Sequence, residues 1–202
     1  SDKQIIFNDG DYAIIQGRNR GSPTTIIPND PFAYLIPKKM TFPKTSENMV
    51  DQNLALNKPV SASGFWSRGQ DEIFPPSKIN DGRLNDMGTP GNWSFWLLDN
   101  NVSGWVTIDL GKPEVVSKLE IQNTHNRGHN DRAAKKVSVK ISLDDSNYTQ
   151  ILATELPSTL NQNDSAIPIH LFEISKVRTR YVRITLESFY GNGGGLNEVR
   201  IF

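Results

Sequence analysis

The sequence predicts an all-β protein built as an antiparallel sandwich, and three observations predict it. Val106, Ile108 and Leu110 alternate with Trp105, Thr107 and Asp109 between Gly104 and Gly111. That period of two belongs to a strand with one face in a core. Further short alternating runs follow, with turn-forming clusters between them, as at Asp144-Asp145-Ser146-Asn147. No run has convincing helical period, so no helices are available for the crossovers of a parallel sheet.

Composition sets the bounds. The 202 residues suit one domain plus extra material, or two small domains, and can bury a core without covalent staples. There is no cysteine, hence no disulfide and no thiolate metal site. The 22 basic and 22 acidic side chains cancel, so no net positive field favours nucleic acid or an anionic membrane. No stretch of about 18 apolar residues is present to span a bilayer. The polar start Ser1-Asp2-Lys3-Gln4 suits a chain that follows a removed lipoprotein signal, and suits a cut site equally. Asn-x-Ser/Thr triplets begin at Asn92, Asn101, Asn147 and Asn163 and matter in a eukaryotic secretory host.

Along the chain, residues 1–52 read as a small β appendage or the end of a preceding domain. Gln4–Phe7 and Tyr12–Ile15 are apolar runs around the turn signal Asn8-Asp9-Gly10-Asp11, and Thr24–Ile27 and Phe32–Ile36 are candidate strands. Pro37, Lys38, Lys39, Pro43 and Lys44 form an exposed connector running to Glu47. From residue 53 to 202 the chain is strand and loop. Val137, Val139, Ile141 and Leu143 face one way and Ser138, Lys140 and Ser142 the other, the pattern of a half-buried strand. Val182, Ile184 and Leu186 repeat it. The long loops, where function concentrates, are Ser63–Ser77, Thr124–Arg132 and Ser188–Leu196.

Five further segments stand in a characteristic order around Gly104–Gly111. Asn53-Leu54-Ala55-Leu56-Asn57-Lys58-Pro59-Val60-Ser61-Ala62-Ser63 and Lys78-Ile79-Asn80-Asp81-Gly82-Arg83 precede it. Val116–Ile121, Val137–Ser142 and Asn197–Ile201 follow. This order resembles the discoidin, or coagulation-factor C-type, domain, closest in style to family 32 carbohydrate-binding modules, over roughly the last 150 residues. The resemblance implies an eight-stranded, galactose-binding-like jelly roll that binds ligands with loops at one end and performs no catalysis. The absence of the terminal disulfide of the clotting-factor members favours a bacterial module or a cytosolic relative.

The resemblance also implies a structural calcium. A tight Gly-containing loop offering carboxylate, amide, hydroxyl and carbonyl oxygens suits a hard cation. Carried over, Asp81 and Glu198 supply carboxylates, Asn85 or Asp86 and Thr89 side-chain oxygens, and Ile79 a carbonyl. The alternative is a metal-free Asp-Gly turn with a surface glutamate.

For a sugar, a planar ring must meet the C–H face while fixed donors and acceptors catch hydroxyls. The family's galactose binders use a His, an Arg, an Asn and a late-loop aromatic. The candidates here are His125 or His129, Arg127 or Arg132, Asn192, and Tyr190 or Phe189, with Trp66 as a wall. Gly193-Gly194-Gly195 would let a ligand approach the backbone. Trp93 and Trp96 are expected in the core.

The function expected is a non-catalytic module that binds a galactose-like terminal sugar, outside the cell or on its surface. A phospholipid-binding C-type domain and a protein-interaction domain are the alternatives. No cysteine nucleophile, Gly-x-Ser-x-Gly elbow, His-Glu-x-x-His pair or phosphate-cradling loop is present to suggest an enzyme.

Overall fold

The computed structural model describes residues 4–8, 12–16, 52–162 and 167–202, and the chain divides into two units, Ser1–Asn48 and Met49–Phe202. In the first unit, β1 (Gln4–Asn8) and β2 (Tyr12–Gln16) pair antiparallel, with Ile5 opposite Ile15 and Ile6 opposite Ile14. These are the two apolar runs singled out in the sequence. The turn between them, the candidate strands at 24–36 and the connector to Glu47 lie outside the described residues.

The second unit begins with β3 (Val60–Ala62) and the hairpin of β4 (Ser67–Arg68) and β5 (Glu72–Ile73), followed by β6 (Trp96–Leu97). The long β7 (Gly104–Asn123) leads to β8 (Arg132–Ala134), β9 (Lys136–Ser142) and β10 (Thr149–Glu155). Next come the long β11 (Ile169–Leu186), β12 (Phe189–Gly191) and β13 (Gly195–Ile201). The main pairing path is β10-β9-β11-β7-β13-β6, with β3 added on β7 and β12 on β8. Every strand-to-strand pairing in it is antiparallel.

Two bent strands make this path a sandwich. Residues 104–109 of β7 pair with 181–186 of β11, and residues 114–122 pair with 169–179, the register slipping near Thr179/Tyr181. One strand pair therefore serves both layers. Between the layers lie the fully buried Val106, Ile108, Leu110, Leu119, Ile121, Val182, Ile184, Leu186, Val199 and Ile201, with Trp96 among them. Non-polar side chains meeting in this way supply the main favourable free energy of the fold.

The strand does not end at Gly111, where the alternating run stops, but turns a corner there. Gly111 takes φ +87°, a conformation open to glycine at no steric cost, and its N–H donates to Asp109 Oδ1 at 2.8 Å. Arg180, at the matching bend of β11, donates to both oxygens of Asp109 at 2.8 and 2.9 Å. One carboxylate thus ties the two bends together. The strand β9 also differs from expectation. Val137, Val139 and Ile141 are buried, but Ser138 is buried as well, while Leu143 lies past the strand end and is 57% exposed.

The Arg180 fork holds the Asp109 carboxyl below the usual carboxylate range, with the Gly111 amide assisting. A depressed folded-state value stabilises above the unfolded-state value and is lost as pH falls through the folded one. Asp109→Asn should therefore lower stability at neutral pH, and the gap to the parent should close below about pH 4, as read by urea unfolding across pH.

Candidate functional site

Gly104 lies opposite Leu186 and Asn123 opposite Leu196, so both ends of β7 reach the same end of the sandwich. The three long loops gather there. The second and third are zipped together by β8 and β12, where Arg132 faces Gly191 and Ala134 faces Phe189. The first carries the β4–β5 hairpin, and its Trp66 is tied to the sheet by Trp66 N–H donating to Leu97 O at 2.7 Å.

Behind the second loop sits Asp86, 1% exposed. Its Oδ2 accepts from Thr124 Oγ1 at 2.8 Å, from His125 N at 3.2 Å and from Arg127 N at 3.4 Å. Arg127 Nη1 donates in turn to Asp86 O at 3.0 Å. Asn126 and Arg127 both have left-handed backbones, φ +59° and +52°, a costly conformation for a residue with a side chain. The carboxylate collects the amides that this conformation turns inward. Burial pushes the Asp86 carboxyl above the usual carboxylate range, opposed by the bond from Thr124 and the nearby His125 ring.

The outer side of that loop forms one wall of a cleft of about 350 Å³. Arg127 and His129 stand on this wall with Asn126, and Asp71 and Glu72 of the first loop stand on the other. The floor is a ladder of rings. Trp93 stacks on Phe95 (6.4 Å between centroids, 20° between planes), and Phe95 on Phe74 (5.0 Å, 16°). Phe74 and Phe95 are buried and Trp93 is half-buried, with the Arg127 guanidinium 3.9 Å from its ring centre. The cleft thus combines an aromatic surface, cationic and imidazole donors and two carboxylate acceptors.

Of the residues singled out in the sequence, Arg127 and His129 line this cleft. Trp66 borders it, donating from Nε1 to Glu72 Oε2 at 3.4 Å. The others are placed elsewhere for identifiable reasons. His125 is buried behind the loop, with Nδ1 3.2 Å from Arg127 O and 3.6 Å from Asp86 Oδ2. Arg132 is 3% exposed and braces the scaffold through Leu98 O at 2.8 Å and the side chain of Asn100. Asn192 is pinned to Asp131 Oδ2 at 3.1 Å. Tyr190 turns toward β10, its hydroxyl donating to Leu156 O at 3.2 Å. Gly193–Gly195 are buried, and a side chain there would strike the protein itself. A Cβ on Gly193 would lie 2.5 Å from Arg132 Nη1, and one on Gly195 2.5 Å from Trp96 O. Their smallness serves packing, not ligand approach.

Trp93, Asp71, Glu72 and Asn126 were not singled out for ligand contact. For Trp93 a signal was available. Trp93, Phe95 and Leu97 alternate with Ser94, Trp96 and Leu98, so the segment has two apolar faces. Trp96 and Leu98 serve the main core, while Phe95 and Leu97 form a separate cluster with Phe74.

The cation loop assembles only in part as expected. Asp81 Oδ1 accepts from Ser94 Oγ at 2.6 Å, and that hydroxyl is 3.4 Å from Arg83 O. Glu198, 1% exposed, accepts from Gly82 N at 3.3 Å, and its Oε1 lies 3.7 Å from Arg200 Nε. Burial, then the Asp81 carboxylate, pushes Glu198 up to about 8. Ile79 O accepts from Val199 N at 2.5 Å, which leaves that carbonyl a second lone pair. Asn85 instead serves Gln122 and Ile167, Asp86 serves the second loop, and Thr89 is exposed with its carbonyl on Asn92. Ser94 takes the hydroxyl position proposed for Thr89. Among the described residues no three His, Cys, Asp or Glu side chains cluster as a metal site. The donors are two carboxylates and neutral oxygens, and two acids crowded together beside carbonyl and hydroxyl oxygens fit a hard cation.

The family model for the F5/8 type C domain matches residues 57–200, and the chain belongs to that family. Among solved structures, it resembles chitosan-binding module 1 of a chitosanase/glucanase from Paenibacillus sp. IK-5, at 21% identity and TM-score 0.53, covering 75% of this chain and 98% of that one. It also resembles CpGH89CBM32-5 from Clostridium perfringens, in complex with GalNAc-β-1,3-galactose, at 13% identity and TM-score 0.58, covering 75% and 99%. A third is the family 32 module of C. perfringens NanJ in complex with galactose, at 17% identity and TM-score 0.53, covering 72% and 93%. At these identities the likeness is one of fold. No curated protein matches the chain.

Asp86→Ala should cost about 1–3 kcal/mol by stranding the Thr124 hydroxyl and two inward amides. Hydrogen exchange should accelerate at His125 and Arg127, while β7 and β11 stay protected. Unchanged exchange in the loop would show that Asp86 does not hold it.

Proposed function

We propose that the chain is a non-catalytic carbohydrate-binding module that acts outside the cell and grips a galactose-like or related terminal sugar in the cleft between Arg127 and Glu72. The observation that carries this reading is the mixed polarity around the Trp93 floor. An anion would select donors alone, and a cation acceptors alone. A pyranose has C–H faces for a ring and hydroxyls that both donate and accept, and it uses all three sets. Arg127 offers a planar fork suited to neighbouring hydroxyls, while His129, Asp71 and Glu72 complete the rim. The pre-formed loop reduces the ordering cost of binding. Relatives solved with galactose and with a galactose-containing disaccharide have the same fold.

Phe65 and Val102, 39% and 44% exposed near the same loops, favour the second reading, insertion into a lipid surface. A glycan array beside vesicles containing phosphatidylserine separates the two. The protein should hold a coherent set of terminal sugars, Trp93→Ala and Arg127→Ala should each weaken retention at least tenfold, and vesicles should not recruit it. A blank array with folded protein would sink the sugar reading.

The same reading includes a structural calcium, held by Asp81, Glu198, Ser94 and the carbonyls of Arg83 and Ile79. The cation would neutralise two carboxylates that otherwise oppose each other, clamping the loop to β13. Calcium should raise the melting temperature, chelation should reverse the rise, and Glu198→Gln should blunt it. A melting temperature indifferent to calcium would remove the ion from the account.

A further inference from the structure

We propose that the cleft continues across Trp66 as a second subsite, so that the ligand is an oligosaccharide recognised over at least two sugar rings. This rests on the carbohydrate reading of the Trp93 cleft and extends it. Trp66 and Trp93 are both half-buried and both pack against one cluster, Phe74, Phe95 and Leu97. Two indoles therefore pack on a single apolar cluster at the loop end. Glu72 joins them, because its carboxylate borders the Trp93 cleft and accepts from Trp66 Nε1.

Trp66 is held as a platform. Its N–H donates to Leu97 O at 2.7 Å and its carbonyl accepts from Phe74 N at 3.0 Å. Two guanidiniums lie over its ring, Arg132 at 4.3 Å and Arg68 at 4.1 Å. They differ in kind. Arg132 is buried and fixed on Leu98 O, whereas Arg68 is exposed on the short β4–β5 hairpin. An exposed arginine can swing from the ring to a hydroxyl of an incoming sugar while the buried one keeps the indole in place. Trp93 and Arg127 repeat the combination of ring and guanidinium on the same cluster. Trp93, Phe95 and Phe74 stack in sequence at 6.4 and 5.0 Å between centroids, and Trp66 joins Phe74 through the backbone, so the second indole gives a linked second sugar a ring of its own.

The test is an array presenting each terminal sugar both alone and within its trisaccharide, followed by titration of the retained pair. A second ring contact is worth about tenfold in affinity, so the trisaccharide should bind about tenfold more tightly than its terminal sugar. Trp66→Ala should bring that ratio close to one. Arg68→Ala, which alters an exposed side chain and leaves the core intact, should cut the ratio severalfold and decides the matter if Trp66→Ala does not fold. Equal affinity for the two ligands, or a ratio unmoved in Arg68→Ala and Trp66→Ala, overturns the second subsite and leaves the Trp93 cleft standing. An array that retains no sugar at all overturns the carbohydrate reading, and the subsite with it.

Discussion

A buried carboxyl group, that of Asp86, organises the loop end of this molecule. Placing a carboxyl group like that of Asp86 away from water is costly unless hydrogen bonds reach it. Amides and a hydroxyl drawn from one loop meet its Oδ2. Those amides turn inward because Asn126 and Arg127 adopt left-handed backbone, and the same conformation turns the Arg127 guanidinium out over Trp93. The dependence also extends backward. Asp86 N–H donates to the side chain of Asn197 on β13, and Asn197 Nδ2 donates to Arg83 O at 2.8 Å. Arg83 O belongs to the oxygen set around Asp81. The ligand loop, the cation loop and the last strand therefore share one polar joint.

The bracing contact and the candidate site lie at different ends. The bends of β7 and β11 meet where Asp109 pairs with Arg180, while the strand termini at Gly104, Asn123 and Leu186 deliver the loops at the other end. Carrying two long strands through both layers lets a continuous core support loops that contribute few of its side chains. The glycine run at 193–195 belongs to the supporting side of this division, filling narrow gaps beside Arg132, Leu186 and Trp96.

Much of the fold was legible because period-2 alternation and antiparallel burial are local properties. Val106, Ile108, Leu110, Val182, Ile184 and Leu186 announce their faces one residue at a time. The corner at Gly111 was less legible, since a glycine followed by a proline marks a strand end and a bend equally well. The site was legible only in part. Arg127 and His129 follow from a polar loop, whereas Arg132 and His125 share its composition and are internal. What separates them is burial against Leu98 and Asp86, contacts 34 and 39 residues away in the chain. The exchange of Thr89 for Ser94 in the cation loop has the same origin, for the extra turn around Pro90-Gly91 carries Thr89 outward and brings Ser94 back to Asp81.

The pairing of each half-buried indole with a guanidinium has a further consequence for recognition. A bare tryptophan on a loop would be free to bury itself or to recruit any apolar surface. With Arg127 or Arg68 over the ring, an incoming group must offer polar partners as well as an apolar face, or it loses the cation–π contact without replacement. A lipid tail cannot replace that contact, whereas a sugar hydroxyl can accept from the displaced guanidinium. On the proposed carbohydrate reading the arginines act as selectivity elements before any particular hydroxyl is matched, because discrimination arises from what the wrong ligand leaves unpaired.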